Sequence, residues 1–122
     1  MKHLEDKEQI FLMTWVRSMV HVYPLLALVY HTPNGGQREP RYAAKLRAMG
    51  VKSGVWDIYV PAPAPGLWIE MKIGKNKLSV SQAEFQLDLL PHGYKFAVCY
   101  SWIEAAKAIA KHIGIAEEHT PC

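Results

Sequence analysis

Cysteine is nearly missing from this sequence: among 122 residues there are two, Cys99 in an apolar run and Cys122 at the last position. One bridge to a chain end would be a poor staple, so both read as reduced thiols in a reducing compartment. Long apolar runs are missing as well. "YPLLALVY" is far short of the ~20 residues that cross a bilayer. The opening "MKHLEDKEQ" is charged and acidic, which does not fit a secretory signal, so the expected setting is the cytoplasm, with no membrane partner. The six histidines show no H-x-x-x-H spacing and no pairing with cysteine, which argues against zinc. Gly74-Lys75 lacks the earlier glycine of a P-loop. No helix-turn-helix or zinc finger is visible, so nothing reads base sequence. Repeats and low-complexity tracts are absent too.

What is there is a chain of one-domain size, residues 1 to 122, half of it hydrophobic, with enough apolar mass for a packed core. The net charge of +3 is unevenly spread. Residues 37 to 77 carry Arg38, Arg41, Lys45, Arg47, Lys52, Lys72, Lys75 and Lys77 against Glu39, Asp57 and Glu70. That local excess suits a polyanion such as nucleic acid, although a solvated basic face would look the same.

Phe11, Leu12, Trp15, Val16, Met19 and Val20 recur at helical spacing and predict a helix over 5–22, stopped by Pro24. "LLALVYH" reads as a short buried strand and "TPNGG" as a turn. Residues 40–48 can form a short helix ended by Gly50. "VWDIYV" and "LWIEMKI" read as strands, joined by "PAPAPG", where proline forbids a ladder. "SVSQAEFQLDLL" opens with two overlapping capping boxes, Ser79 with Gln82 and Ser81 with Glu84. "YKFAVCY" is a strand, Ser101 with Glu104 caps a last helix, and the tail after Gly114 reads as loose. The expected class is α/β, a mixed central sheet flanked by helices.

Strands avoid Asp, Glu and Lys, yet Asp57, Glu70 and Lys72 lie in or beside the two most β-like runs. Alternation along 67–73 puts Trp68, Glu70 and Lys72 on one face and Leu67, Ile69 and Met71 on the other. A neighbouring strand can bring Asp57 alongside. Two carboxylates converging near a lysine make a hard-oxygen site for Mg²⁺ or Mn²⁺. The plain alternative is an acid at a strand end and a Glu–Lys pair on an exposed face.

Five stretches in order, "EQIFLMTW", "HTPNGGQR", "AAKLRAMGVKSGVWD", "GLWIEMKIGKNKLSVSQAEF" and "GYKFAVCYSWIEA", resemble the VRR-NUC family, of the PD-(D/E)xK nuclease superfamily. The resemblance runs from about Glu8 to about Ile109 and implies a restriction-endonuclease-like fold. It also implies a stand-alone phage or bacterial type of Mg²⁺- or Mn²⁺-dependent DNA endonuclease. Asp57, Glu70 and the carbonyl of Met71 would then hold the metal, with Lys72 and Gln82 catalytic and Glu8 as the acid of the first helix. Trp56 stands where the family usually has proline. Arg38, Arg41, Lys45, Lys75 and Lys77 would meet phosphates, as would the bare amides of Asn34, Gly35 and Gly36. Each has a plainer alternative: Gln82 as a cap member, Glu8 at the positive end of a helix, Asn34 to Gly36 as a tight turn. For compact members the resemblance implies branched DNA, four-way junctions in particular. Two paired cuts would require a homodimer. The alternatives are a general or restriction-type nuclease, a DNA-binding module without catalysis, and an interaction protein.

Overall fold

The computed structural model describes residues 2–33 and 39–122. Asn34, Gly35, Gly36 and Arg38 lie outside the described residues. Helix α1 (Lys2–Met19) presents Leu12 and Val16 to the core and ends before Pro24. Strand β1 (Tyr30–His31) follows, then helix α2 (Pro40–Ala48), capped by the Glu39 carboxylate on the Tyr42 N–H. Strands β2 (Ile58–Val60) and β3 (Leu67–Met71) come next. Helix α3 (Val80–Leu89), strand β4 (Lys95–Cys99) and helix α4 (Trp102–Ile113) complete the order. Ser101 caps α4 by accepting from the Glu104 N–H at 3.2 Å. Among the described residues no helix is long and apolar enough to cross a membrane.

The sheet runs β1-β2-β3-β4, with antiparallel pairs at β1–β2 and β2–β3 and a parallel pair at β3–β4. Helix α3 is the crossover that a parallel pair needs. Both faces of the sheet are covered. Leu67, Ile69 and Met71 join Ile58, Val60 and the apolar sides of α1 and α4 in one cluster. Trp68 turns the other way, against Trp56 and Phe85 of α3. All five residues of β3 are therefore buried, and Glu70 sits in the interior rather than on an exposed polar face.

"LLALVYH" departs from the predicted strand: Pro24–Leu28 is a 3-10 turn, and only Tyr30–His31 pairs. Pro24 supplies a helical φ at the first position. The buried pair Leu26 and Val29 is spaced by three, which suits 3.0 residues per turn better than strand alternation. The tail also departs from expectation. Ile115 is buried, the Ala116 N–H donates to the Tyr23 hydroxyl at 3.0 Å, and the Trp15 indole N–H donates to the His119 carbonyl at 3.2 Å. The last residues are docked on α1 because Tyr23 and Trp15 carry polar tips that need partners once half-buried.

Candidate active site

β2 starts later than "VWDIYV" predicts, and the reason is the Asp57 side chain. Its Oδ2 accepts the Met71 N–H at 2.8 Å, standing in for a ladder carbonyl, so the two strands part at this point. Across the fork, Glu70 Oε1 accepts the Asp57 N–H at 3.1 Å. Two carboxylates from adjacent strands are thus held by each other's backbone. The end of β1 fixes Asp57 from the far side: its carbonyl accepts from the Thr32 N–H at 2.7 Å and from His31 Nδ1 at 2.8 Å. A carbonyl only accepts, so Nδ1 of His31 carries the proton here.

Gln82 resolves the choice between cap and site residue by being both. The Ser79–Gln82 box is formed: Gln82 Oε1 accepts the Ser79 N–H at 2.9 Å and Ser79 Oγ accepts the Gln82 N–H at 3.2 Å. With Oε1 committed to the cap, the amide nitrogen points away from it and donates to Glu70 Oε2 at 2.7 Å. Lys72 Nζ lies 3.4 Å from the same oxygen. The second sequence-predicted box is not formed around Ser81, and Glu84 is exposed.

Electrostatics mark the pair as strained in charge. Burial first, then the Asp57 charge, push the Glu70 carboxyl up to about 7, against the pull of Lys72. Asp57 is also raised by burial, although the Met71 N–H and the His31 and Lys72 charges lower it.

Trp56 and Gly54 lock α3 onto this site. Trp56 is fully buried, and its indole N–H donates to the Gln82 carbonyl at 3.0 Å. Gly54 has φ +84°, and a Cβ there would stand 2.3 Å from the Ser81 carbonyl oxygen. Gly54→Ala should therefore push α3 off the sheet and loosen the Gln82–Glu70 bond. Gly50, with φ +105° and nothing within 4 Å of a Cβ, is the control for the backbone cost alone. We expect Gly54→Ala to cost about 2 kcal/mol more than Gly50→Ala in denaturant unfolding, the range for overpacking. Equal losses would mean that this contact is not tight.

A solved structure described as a "VRR_NUC domain protein" is similar, with TM-score 0.71 and 26% identity over 92% of this chain and 89% of that one. The chain carries a VRR-NUC domain. No family model matches the sequence, and no curated protein matches it, so the family rests on the agreement of fold and motif. At the fork, this VRR-NUC domain brings together Asp57, Glu70, Lys72 and Gln82. It does not bring Glu8 into that group: Glu8 Oε1 accepts the Trp102 N–H at 2.8 Å and caps α4. The acid of α1 that shares a field with the site is Glu5, pushed up by burial and then by Asp57, with Lys72 pulling it down. Sequence reasoning missed Glu5. No local signal separates it from Glu8, since the two stand seven and four residues before the buried Leu12, on the same stripe of α1. Arg41, Lys45, Lys75 and Lys77 are all exposed, on α2 and on the turn after β3. In the VRR-NUC frame Trp56, at the usual proline position, gains a task that proline cannot perform, because proline has no side-chain donor.

Proposed function

We propose that this VRR-NUC domain is a metal-dependent endonuclease that hydrolyses DNA phosphodiesters. The observation that carries this reading is the buried Asp57–Glu70 pair, each carboxylate held by the other strand's N–H, with Lys72 and Gln82 against Glu70. Structural ion pairs are neutral by design, whereas this group sets two buried carboxylates against one lysine, an excess of negative charge; burial raises both acids, and the Asp57 charge raises Glu70 further. A hard divalent cation relieves that excess. Among the described residues no three His, Cys, Asp or Glu side chains are grouped to hold an ion by themselves. Two carboxylates supplemented by a carbonyl and water suit Mg²⁺ or Mn²⁺, which keep several waters. Asp57, Glu70 and the Met71 carbonyl would hold the ion, with Glu5 reaching it through water. The ion, when bound, supplies charge neutralisation at a phosphate and a more acidic water.

The chain's own residues do the rest. Asp57 and Glu70 fix the charge where the phosphate must sit. Gln82 keeps Glu70 turned toward Asp57. Lys72, at the open side of Glu70, holds a phosphate oxygen or takes a proton from the attacking water. Arg41, Lys45, Lys75 and Lys77 meet phosphates along the approach. Branched DNA is the proposed substrate, cut by a homodimer that delivers two nicks. The apolar side of α4 is taken up by the core through Ala105, Ala106, Ile109 and Ala110. Leu25 and Leu28 remain exposed and are the better candidates for the contact.

The test is purified protein with Mg²⁺, Mn²⁺ or EDTA on linear, flapped, forked and four-way DNA of equal length. Metal-dependent cleavage, strongest on branched forms, is expected, with paired cuts linearising a cruciform plasmid. Cleavage that persists in EDTA would end the metal reading. Nicked circles alone, from a protein that light scattering shows to be monomeric, would end the junction reading.

A further inference from the structure

The sheet register lines up one aromatic side chain per strand. Tyr30 of β1 stands opposite Tyr59 of β2, Tyr59 opposite Trp68 of β3, and Trp68 beside Phe96 of β4. The rings touch from Tyr30 to Trp68. Tyr30 meets Tyr59 edge-on at 5.8 Å, and Tyr59 stacks on Trp68 at 4.3 Å with 20° between planes. α3 closes one end, with the Phe85 ring edge-on to Trp68 at 5.0 Å. The other end is open: Tyr30 is 50% exposed, and Tyr59 is partly exposed with Tyr94 beside it. Core packing explains Trp68, Phe85 and Phe96. It explains Tyr59 as well, whose ring packs on that cluster and whose hydroxyl donates to the Pro65 carbonyl, but not the exposed Tyr30 ring at the end of the row.

The row lies on the sheet face that carries Glu70 and Gln82. Trp68 is two residues before Glu70, and Tyr59 is two residues after Asp57, about 7 Å along the strand. A phosphate at the carboxylate pair therefore leaves its neighbouring nucleotide beside the exposed Tyr30 ring. In a duplex the bases are stacked inside and present no face. An unpaired base does, and aromatic side chains on a sheet surface take such bases by stacking without regard to sequence. The basic excess over residues 37 to 77 matches the charge of the same strand.

We propose that Tyr30, braced by Tyr59, forms a stacking platform for an unpaired base of the strand being cut. The platform favours DNA with single-stranded segments next to the cleavage point. This rests on the nuclease reading above and adds the substrate feature that the site selects.

The experiment is fluorescence anisotropy in EDTA, where nothing is cut, with labelled single-stranded and fully paired DNA of equal length. Cleavage of both by the wild type is followed in parallel with Mn²⁺. The readout is the ratio of affinities, unpaired over paired. Tyr30→Ala, at an exposed position where the fold is safe, is expected to lower this ratio about tenfold, as loss of one base stack does. Tyr30→Phe, which keeps the ring, is expected to hold it. A ratio unchanged in Tyr30→Ala overturns the platform, as does equal weakening on both DNAs. So does a Tyr30→Ala protein that only dissociates from dimer to monomer, since the occupant is then a second copy of the chain. Wild type that cleaves duplex but does not bind the single strand overturns the platform alone. Wild type that neither binds nor cleaves any DNA overturns the nuclease reading with it.

Discussion

Asp57→Asn is expected to lower DNA cleavage by at least about a thousandfold while the protein stays folded. Asparagine keeps an oxygen for the Met71 N–H that Asp57 now receives at 2.8 Å, so the fork between β2 and β3 survives. What goes is the negative charge. A metal at a reacting phosphate contributes several kcal/mol to the transition state, and each 1.36 kcal/mol is tenfold in rate. Glu70→Gln should lose activity to the same degree but is not silent structurally. Both Glu70 oxygens now accept, one from the Asp57 N–H and one from Gln82 Nε2. A glutamine at position 70 must turn its own N–H₂ toward one of those donors. Gln82 cannot adapt by flipping, because its oxygen is held by the Ser79 N–H. Single-turnover cleavage with Mn²⁺, beside a binding assay on the same DNA, checks both variants. Binding should persist or tighten, since a like charge near phosphate is removed. Wild-type turnover in Asp57→Asn would remove the carboxylate pair from the mechanism.

The metal-free protein is expected to lose stability as pH rises, the reverse of a carboxylate held in a favourable ion pair. Burial and the Asp57 charge lift the Glu70 carboxyl from 4.5 to about 7, so between those values the folded chain keeps a proton that the unfolded chain releases. Stability therefore falls as pH rises from about 4.5 to about 7 and stays at the lower level above. That interval converts to about 3 kcal/mol, or roughly 10 °C in Tm for a domain of this size. The measurement is thermal unfolding in EDTA between pH 5 and 8. Glu70→Gln should flatten the slope whatever its absolute Tm. Mg²⁺ or Mn²⁺ at pH 8 should restore part of the loss in the wild type, because an ion bound only to the fold stabilises it by mass action. Identical pH slopes in wild type and Glu70→Gln would show that Glu70 is not the group that titrates.

The local signals in the sequence were read correctly wherever one mechanism governed them. Ser79, Gln82, Ser101 and Glu104 announce helix starts, and these caps are made. The alternation along 67–71 sorts Leu67, Ile69 and Met71 from Trp68 and Glu70 as the packing does, whereas α1 stops at Met19, short of the expected residue 22. Reading failed where two elements compete for one residue. "LLALVYH" is apolar enough for strand or helix, and only the core decides that Leu26 and Val29 turn inward. Glu5 and Glu8 lie within one turn of the same helix, and nothing local says which faces the fork. The tail reads as loose because its partners, Tyr23 and Trp15, are more than ninety residues away.

By itself the sequence determined the order of helices and strands and singled out the candidate site residues. Periodicity, caps and turns act within a few residues, and Asp57, Glu70 and Lys72 stand out as charges within β-like runs. Tertiary structure decided which of those charges meet. Burying Glu70 under α3 lifts its proton affinity, and the capping box aims the Gln82 amide at it. A clash-free Gly54 and the Trp56 indole bring that helix close enough. These are contacts between segments far apart in the chain, and their energies depend on distance and solvent exclusion, which no local pattern encodes.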